Sequence, residues 1–175
     1  MVDRRGGTVD ANEFDEFYQA SFPRLVGQLS VMTGNLAEAQ DCVQEAFVRA
    51  WLHRSSLSTV GSPDAWVRTV AWRLAVSRWR RAKQALGFRH RTAAPQVVAG
   101  PSLDRPALVA ALAQLPAEQR RAIVLHLHHL CDLSVADVAA ETGVPVGTVK
   151  ARLSRGRTAL ASLLTDHSTE VAHHD

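Results

Sequence analysis

The segment LSVADVAAETGVPVGTVKARLSRGR, residues 133–157, is the most informative part of the sequence about the fold. Ser134 can cap a short helix, and Gly143 suits the left-handed conformation with which a helix commonly ends. Pro145 can then open a second helix, which is basic and contains no acidic residue within the stretch. Two short helices around a tight turn, the second of them basic, predict a helix-turn-helix motif whose second helix reads DNA.

The second helix of this motif has an apolar face that sets its rotation. Val149, Leu153, Leu160 and Leu164 recur at helical spacing, so we expect them to face inward. Short side chains on the other side let the backbone approach a groove, while lysine and arginine reach phosphates and guanine edges. The residues predicted at the major groove are Lys150, Ala151, Ser154 and Arg155, with Thr148 in the same set and Arg152 and Arg157 on phosphates. The alternative is a solvated basic helix end.

Charge is distributed unevenly along the chain. The 175 residues carry a formal net charge of only +3. Residues 65–91 nevertheless contain many arginines and no acid, whereas Glu38, Asp41 and Glu45 precede them. This asymmetry predicts one surface for an anion and another for a different partner. No apolar run reaches membrane-spanning length, so we expect a soluble cytoplasmic protein without membrane insertion of its own.

Pattern reading favours an all-α fold with two small helical domains joined by a flexible linker. Apolar residues recur at helical spacing, and we find neither a strand pattern nor an internal repeat. Helices are predicted at about residues 12–32, 36–53, 63–86, 106–114 and 117–130, before the helix-turn-helix. Between Gly87 and Arg105 the periodicity is lost and proline, glycine and small residues accumulate. The predicted domains are 10–86 and 106–165, with a linker at 87–105 and a polar tail at 166–175.

Several motifs resemble those of bacterial RNA polymerase sigma factors of the sigma-70 family. Residues 41–51, DCVQEAFVRAW, look like the polymerase-binding signature, and residues 65–81 resemble the helix that melts and reads the promoter minus-10 element. Residues 115–120 and 147–153 are similar to the domain that reads the minus-35 element. The motifs occur in the family order, and the resemblance covers about residues 12–164.

The short length and the direct linker resemble the extracytoplasmic-function (ECF) subgroup, which lacks the additional domains of housekeeping sigma factors. The resemblance implies a promoter-specificity subunit that binds core polymerase and initiates transcription. The first domain then corresponds to sigma region 2 and the second to sigma region 4. The implied partners are the clamp coiled coil and flap of core polymerase, promoter DNA and an anti-sigma factor that clamps the two domains.

The polymerase-binding signature has a polar face that its spacing defines. Asp41, Gln44 and Glu45 lie three and four residues apart, so they share one helix face opposite Phe47. Such a face can receive arginines from another protein, and the three residues match the family's main polymerase contacts, with Arg49 beside them. The alternative is that the two acids solvate the helix and that Glu45 pairs with Arg49.

The predicted minus-10 helix is rich in tryptophan. Trp66 matches the family's aromatic position beside the opening base pair, where a ring can stack on an unstacked base. Packing in the core is the alternative for Trp66 and the expectation for Trp72 and Trp79. Val67 stands where housekeeping sigma factors carry a second aromatic, which resembles the subgroup that melts DNA less readily.

The same helix carries the arginines predicted to hold DNA. Arg73 and Ser77 depart from an Asn and an Asp that are frequent at these positions in the family. Phosphate contacts lend affinity and salt dependence but little sequence information. The basic residues assigned to the minus-10 region are Arg68, Arg73, Arg78, Arg80 and Arg81.

A cluster of histidines offers a metal site as an alternative function. His126, His128, His129 and Cys131 lie close in sequence, but on one helix they point in divergent directions, so we expect no metal. Cys42 and Cys131 are interpreted as small core residues of predicted helices. No phosphate loop, activated nucleophile or carboxylate pair appears, so we expect neither a cofactor nor an enzyme. The main alternative function is a helix-turn-helix regulator that binds duplex DNA independently of polymerase.

Overall fold

The computed structural model of the chain describes residues 10–57, 61–85, 106–127 and 130–171, and every regular element in these ranges is a helix. The predicted linker at 87–105 lies outside the described residues. The helices are α1 Ala11–Thr33, α2 Leu36–Leu52, α3 Arg54–Leu57, α4 Pro63–Ala85, α5 Pro106–Gln114, α6 Ala117–His126, α7 Val135–Thr142 and α8 Val146–Val171.

The chain folds as two compact units. The first contains most of α1 and α2 together with α3 and α4, and the second contains α5 to α8. The short segment Ser30–Leu36, where α1 ends and α2 begins, groups with the second unit. The domain boundaries drawn from the sequence stay a prediction. None of the described helices is both long enough and apolar enough to cross a lipid bilayer.

An aromatic cluster holds α1 against α2 in the first unit. Phe47 of α2 lies at its centre, and the ring centroids of Phe17 and Tyr18 are 5.3 and 4.9 Å from it. Phe14 packs on the same ring and on Trp51, at 6.2 and 5.1 Å. Tilted and edge-on contacts of this kind stabilise beyond the area that the rings bury. The cluster therefore fixes which face of α2 is turned inward.

The third long helix of the first unit, α4, begins where the sequence predicts. The Ser62 hydroxyl accepts a hydrogen bond from the backbone N–H of Ala65 at 3.3 Å, which satisfies one free donor of the first turn. Val67 and Trp72 are buried, at 0% and 7% exposure. Asp64 pairs with Arg24 of α1 at 2.7 Å, so the start of α4 is tied to α1.

The helix-turn-helix of the second unit forms as predicted. Ser134 accepts a hydrogen bond from the Asp137 N–H at 3.1 Å and caps α7. Gly143 ends α7 in the left-handed conformation, with a φ of 70°, where a side chain is disfavoured. Helix α8 starts directly after Pro145. Local chemistry at three positions thus accounts for both helix ends and the turn.

Helix α8 is the central element of the second unit and contacts α5, α6 and α7. Val149 and Leu153 are buried on its inner face, at 1% and 4% exposure, and so is Leu160, at 8%. Gly156 lies on the same face, where an added Cβ would stand 2.5 Å from Cδ1 of Ile123 in α6. The absence of a side chain at Gly156 therefore lets the two helices approach closely.

Two helix ends differ from the prediction, and one short helix was not predicted. Helix α6 ends at His126 and not near residue 130, because Leu127 adopts an extended conformation with a ψ of 125°. Cys131 consequently lies in a turn, where its backbone N–H donates to the Leu127 carbonyl at 3.1 Å. No glycine or proline marks this stop, and the leucine pattern runs through it. The short α3 was not predicted, and α8 continues past Thr165 to Val171.

Candidate functional site

The polar face of α2 is exposed as its spacing predicts. Asp41 and Gln44 are exposed and Glu45 is half-buried, on the side of the helix away from the aromatic cluster. Two apolar residues that the sequence reasoning missed lie on the same face. Val48 and Leu52, 55% and 69% exposed, follow Asp41 at helical spacing, which is the signal that could have identified them. The face therefore combines polar and apolar groups.

Glu45 is the centre of an ion-pair network on this face. Its Oε1 accepts a hydrogen bond from Arg49 Nη2 at 2.5 Å, the pairing that formed the alternative interpretation. Its Oε2 accepts a hydrogen bond from Arg78 Nη2 of α4 at 2.8 Å. The other guanidinium nitrogen of Arg78 lies 3.8 Å from Asp41 Oδ2. The face predicted for polymerase is thus occupied in part by an arginine that was predicted for DNA.

The network shifts the titration of its members. Burial alone raises the pKa of Glu45, but hydrogen bonds from Arg78 and Arg49 outweigh burial and hold the pKa below its ordinary value. For Arg78 burial lowers the pKa, and the hydrogen bond to Glu45 reverses this and raises it. Both groups therefore stay charged throughout the physiological pH range.

Two arginines predicted for minus-10 DNA do not lie free on the surface. Arg68 is buried, at 5% exposure, and its Nη1 donates a hydrogen bond to Gln28 Oε1 of α1 at 3.2 Å. Its guanidinium is part of the helix packing, so a DNA contact would require this packing to change, and the assignment of Arg68 to DNA stays a prediction. Arg78 is engaged with Glu45, as described above, and is not available to a phosphate unless that pair opens.

Three arginines of α4 do face outward as predicted. Arg73, Arg80 and Arg81 are exposed. Arg81 donates a hydrogen bond to the Ser77 hydroxyl at 2.9 Å, so the serine that replaces a frequent aspartate orients a cation. The exposed arginines give α4 a basic outer surface that fits a phosphate backbone.

The tryptophans of α4 lie in three different environments. Trp66 is half-buried, and its ring centroid is 6.4 Å from that of His53 at the end of α2. Trp72 is buried, as predicted. Trp79 is 59% exposed, so the prediction that it belongs to the core is wrong. It continues the buried side of α4 beyond the point where α4 is packed, which periodicity alone does not reveal.

The outer face of α8 matches the rotation set by its inner residues. Lys150, Ala151, Ser154 and Arg155 are all exposed, and Thr148 is half-buried at the start of the helix. The side chains on this face combine donors, a short methyl group and positive charge. Arg157 is also exposed, further along the helix. The geometry suits a helix laid in a major groove.

Arg152 departs from the predicted set. Its Nη1 lies 3.1 Å from Glu118 Oε2 of α6, and its side chain is only 19% exposed. The arginine therefore links α8 to α6, and a phosphate could bind it only in place of Glu118, so its assignment to a phosphate stays a prediction.

Only His126 and Cys131 of the histidine cluster lie in the described part of the chain. His126 Nδ1 donates to the Leu133 carbonyl at 2.8 Å, so this ring braces the turn before α7. His128 and His129 lie outside the described residues. Within residues 10–57, 61–85, 106–127 and 130–171, no group of three His, Cys, Asp or Glu side chains is placed to hold a metal ion.

Comparison with known proteins gives the same two regions in the same order. The family model Sigma-70 region 2 matches residues 17–85, and the model Sigma-70, region 4 matches residues 105–160. The ECF RNA polymerase sigma factor SigW of Bacillus subtilis is 32% identical over 151 residues, which is 77% of this chain and 80% of SigW. SigL of Mycobacterium tuberculosis is 34% identical over 129 residues, or 70% and 72% of the two chains.

A solved structure has a similar fold. The sigma factor RpoE from Bartonella quintana, crystallised with the anti-sigma factor NepR, superposes with a TM-score of 0.75 at 28% identity, covering 89% of this chain and 98% of that one. The chain described here belongs to the ECF sigma factors of bacterial RNA polymerase.

Proposed function

We propose that this chain is a promoter-specificity subunit of RNA polymerase whose first unit binds core enzyme and the minus-10 element and whose second unit reads the minus-35 element. Membership of the family supports the activity. The exposed faces of α2, α4 and α8 support the assignment of one partner to each helix. No catalytic step is assigned to the chain itself, because core polymerase performs the chemistry. Its place of action is the cytoplasm, where promoter DNA and polymerase meet.

The observation that carries this proposal is the outer face of α8. An exposed lysine, a short alanine, a serine and an arginine lie on the second helix of the helix-turn-helix, at Lys150, Ala151, Ser154 and Arg155, after the capped first helix α7. Good bidentate base contacts discriminate by about 1 to 3 kcal/mol each. We therefore expect Lys150→Ala to relax base preference at minus-35, and Arg157→Ala to weaken all sequences alike.

The proposed polymerase interface is the polar face of α2. Asp41, Gln44 and Glu45 are presented together by one rigid helix, whose opposite side is fixed by the aromatic cluster. Charge complementarity with a basic helical surface steers such a contact and sets its specificity. The clamp coiled coil of polymerase is the proposed partner of this face, and the flap is the proposed partner of the second unit.

The test of this interface is simultaneous replacement of Asp41, Gln44 and Glu45 by Ala. We expect the variant to lose binding to purified core polymerase in a pull-down, while circular dichroism shows retained helicity. A matched control removes the same side-chain types, all exposed, from α1: Asp15→Ala, Glu16→Ala and Gln19→Ala. Full affinity of the α2 variant for core, or equal loss in the control, would contradict the proposed interface.

An anti-sigma factor is the proposed regulator. The similar Bartonella RpoE was crystallised with its anti-sigma factor NepR, and the present chain shares its fold. We propose that an inhibitor of this class covers the α2 and α8 faces, since core polymerase needs the first face and the minus-35 element needs the second.

The alternative, a regulator that binds duplex DNA without polymerase, accounts for the α8 face but not for the first unit. It leaves the α2 face without a function and does not explain why residues 17–85 match the Sigma-70 region 2 family. Binding of the full chain to core polymerase separates the two functions directly.

A further inference from the structure

Arg78 of α4 joins the two surfaces that the proposed function treats separately. Its guanidinium donates to Glu45 Oε2 at 2.8 Å and lies 3.8 Å from Asp41 Oδ2, so one side chain spans both carboxylates of the α2 face. It belongs to the basic helix whose exposed members, Arg73 and Arg80, face outward. The contact lies entirely within the first unit.

The ion pairs remove the negative charge that the sequence assigns to this face. Asp41 and Glu45 contribute two carboxylates, and Arg49 and Arg78 contribute two guanidiniums, so the four formal charges cancel. Both oxygens of Glu45 already accept a hydrogen bond, Oε1 from Arg49 and Oε2 from Arg78. A basic partner surface therefore meets a neutral network and must compete with the arginines in place.

Arg78 is the member of the network that can leave. Arg49 stands one helical turn from Glu45 on the same helix, so backbone geometry keeps that pair together. Arg78 reaches across from another helix, and its side chain is 36% exposed. Surface ion pairs of this kind are weak, so a partner arginine or a phosphate can replace either end at small cost.

We propose that Arg78 is a shared residue that couples polymerase binding to promoter binding. In the free chain it closes the α2 face, and when polymerase arginines take over Glu45 and Asp41 it is released to a DNA phosphate. The inference rests on the proposed function and adds its regulation. By linkage, each partner then strengthens the binding of the other, and Arg78 carries part of that coupling.

The decisive experiment measures affinity of the full chain for core polymerase without DNA, by anisotropy of a labelled chain. Arg78→Ala removes the competitor, so we expect core to bind more tightly, by a factor of about two to five. Core binding by this variant should also depend more steeply on salt, because the face is left with net negative charge. Arg80→Ala, which removes an exposed arginine of the same helix, is the matched control and should leave core affinity unchanged.

Two further variants make the result specific. Arg78→Gln keeps most of the side-chain length without the charge and should tighten core binding in the same direction, which guards against a folding defect in the alanine variant. In a Glu45→Gln background Arg78→Ala should lose most of its effect, because only the 3.8 Å contact with Asp41 is left, and a double-mutant cycle measures this loss. With promoter DNA and saturating core, Arg78→Ala and Arg80→Ala should both weaken promoter affinity.

Two results would overturn the coupling role of Arg78, and a third would overturn the proposed function. Weaker or unchanged core binding in both Arg78 variants overturns the proposal and makes Arg78 a support of the α2 face. Tightening of undiminished size in the Glu45→Gln background overturns it as well. If the unaltered chain fails to bind core polymerase, the proposed function itself falls, which is a separate result.

Discussion

At the scale of single residues, three arginines of α4 and α8 bind side chains of neighbouring helices. Arg68, Arg78 and Arg152 were all predicted for DNA, and each has a protein partner on another helix. Arginine suits both tasks, because its planar guanidinium binds carboxylates, amides and phosphates alike. Composition therefore identifies a basic segment without saying which of its cations are available to nucleic acid.

Arg152→Ala provides a test at this scale. Because the side chain pairs with Glu118, we expect a loss of stability of no more than about 1 kcal/mol in urea unfolding. Affinity for minus-35 duplex should stay nearly unchanged, whereas Arg157→Ala should lower it. Coupling between Arg152→Ala and Glu118→Ala in a double-mutant cycle would support the pair. A DNA-binding loss equal to that of Arg157→Ala would return Arg152 to the phosphate set.

At the scale of elements, the crossing of α6 and α8 depends on one glycine. A Cβ at Gly156 would lie 2.5 Å from Cδ1 and 3.3 Å from Cγ1 of Ile123, which is itself only 3% exposed. Alanine improves helix propensity by up to about 1 kcal/mol, but overpacking a core costs about 1 to 3 kcal/mol. We therefore expect Gly156→Ala to lower the free energy of unfolding, measured by urea denaturation.

Two matched variants separate crowding from propensity. Gly147→Ala lies in the same helix with nothing within 4 Å of its Cβ, so propensity alone acts and stability should rise slightly. Ile123→Val removes the Cδ1 atom and should restore stability when combined with Gly156→Ala. If Gly156→Ala by itself raised the melting temperature, the close approach of α6 and α8 would be wrong.

At the scale of the whole molecule, two compact units imply separable activities. We expect a fragment of residues 10–86 to retain binding to core polymerase, and a fragment of residues 106–175 to bind minus-35 duplex weakly. A mixture of the two fragments should not support transcription from a promoter. Only a single chain that joins the two binding sites gives the second site a high effective concentration.

Pull-down with core enzyme and a mobility shift with duplex DNA measure the two fragment activities. The α2 triple-alanine change placed in the first fragment is the control, since it should remove polymerase binding from that fragment as well. Unfolding of either fragment on its own would show that the proposed boundaries cut through a cooperative unit.

Features with local causes could be predicted from the amino-acid sequence. Ser134 and Gly143 place the ends of α7, and the spacing of Val149 and Leu153 determines which side of α8 is exposed. The same holds for the polar face of α2 and for the family, whose motifs are contiguous stretches. The stop of α6 at His126 escaped prediction, because the leucine pattern continues through it without a helix breaker.

Contacts between side chains of different helices depend on the tertiary structure and could not be predicted from the sequence. Helical periodicity assigns Arg78 and Glu45 to sides of their own helices, but their 2.8 Å contact depends on how α4 packs against α2. The exposure of Trp79 likewise depends on where the packed part of α4 ends. A long side chain binds the nearest suitable partner that the folded chain supplies. That partner comes from a segment distant in sequence, so no local pattern records it.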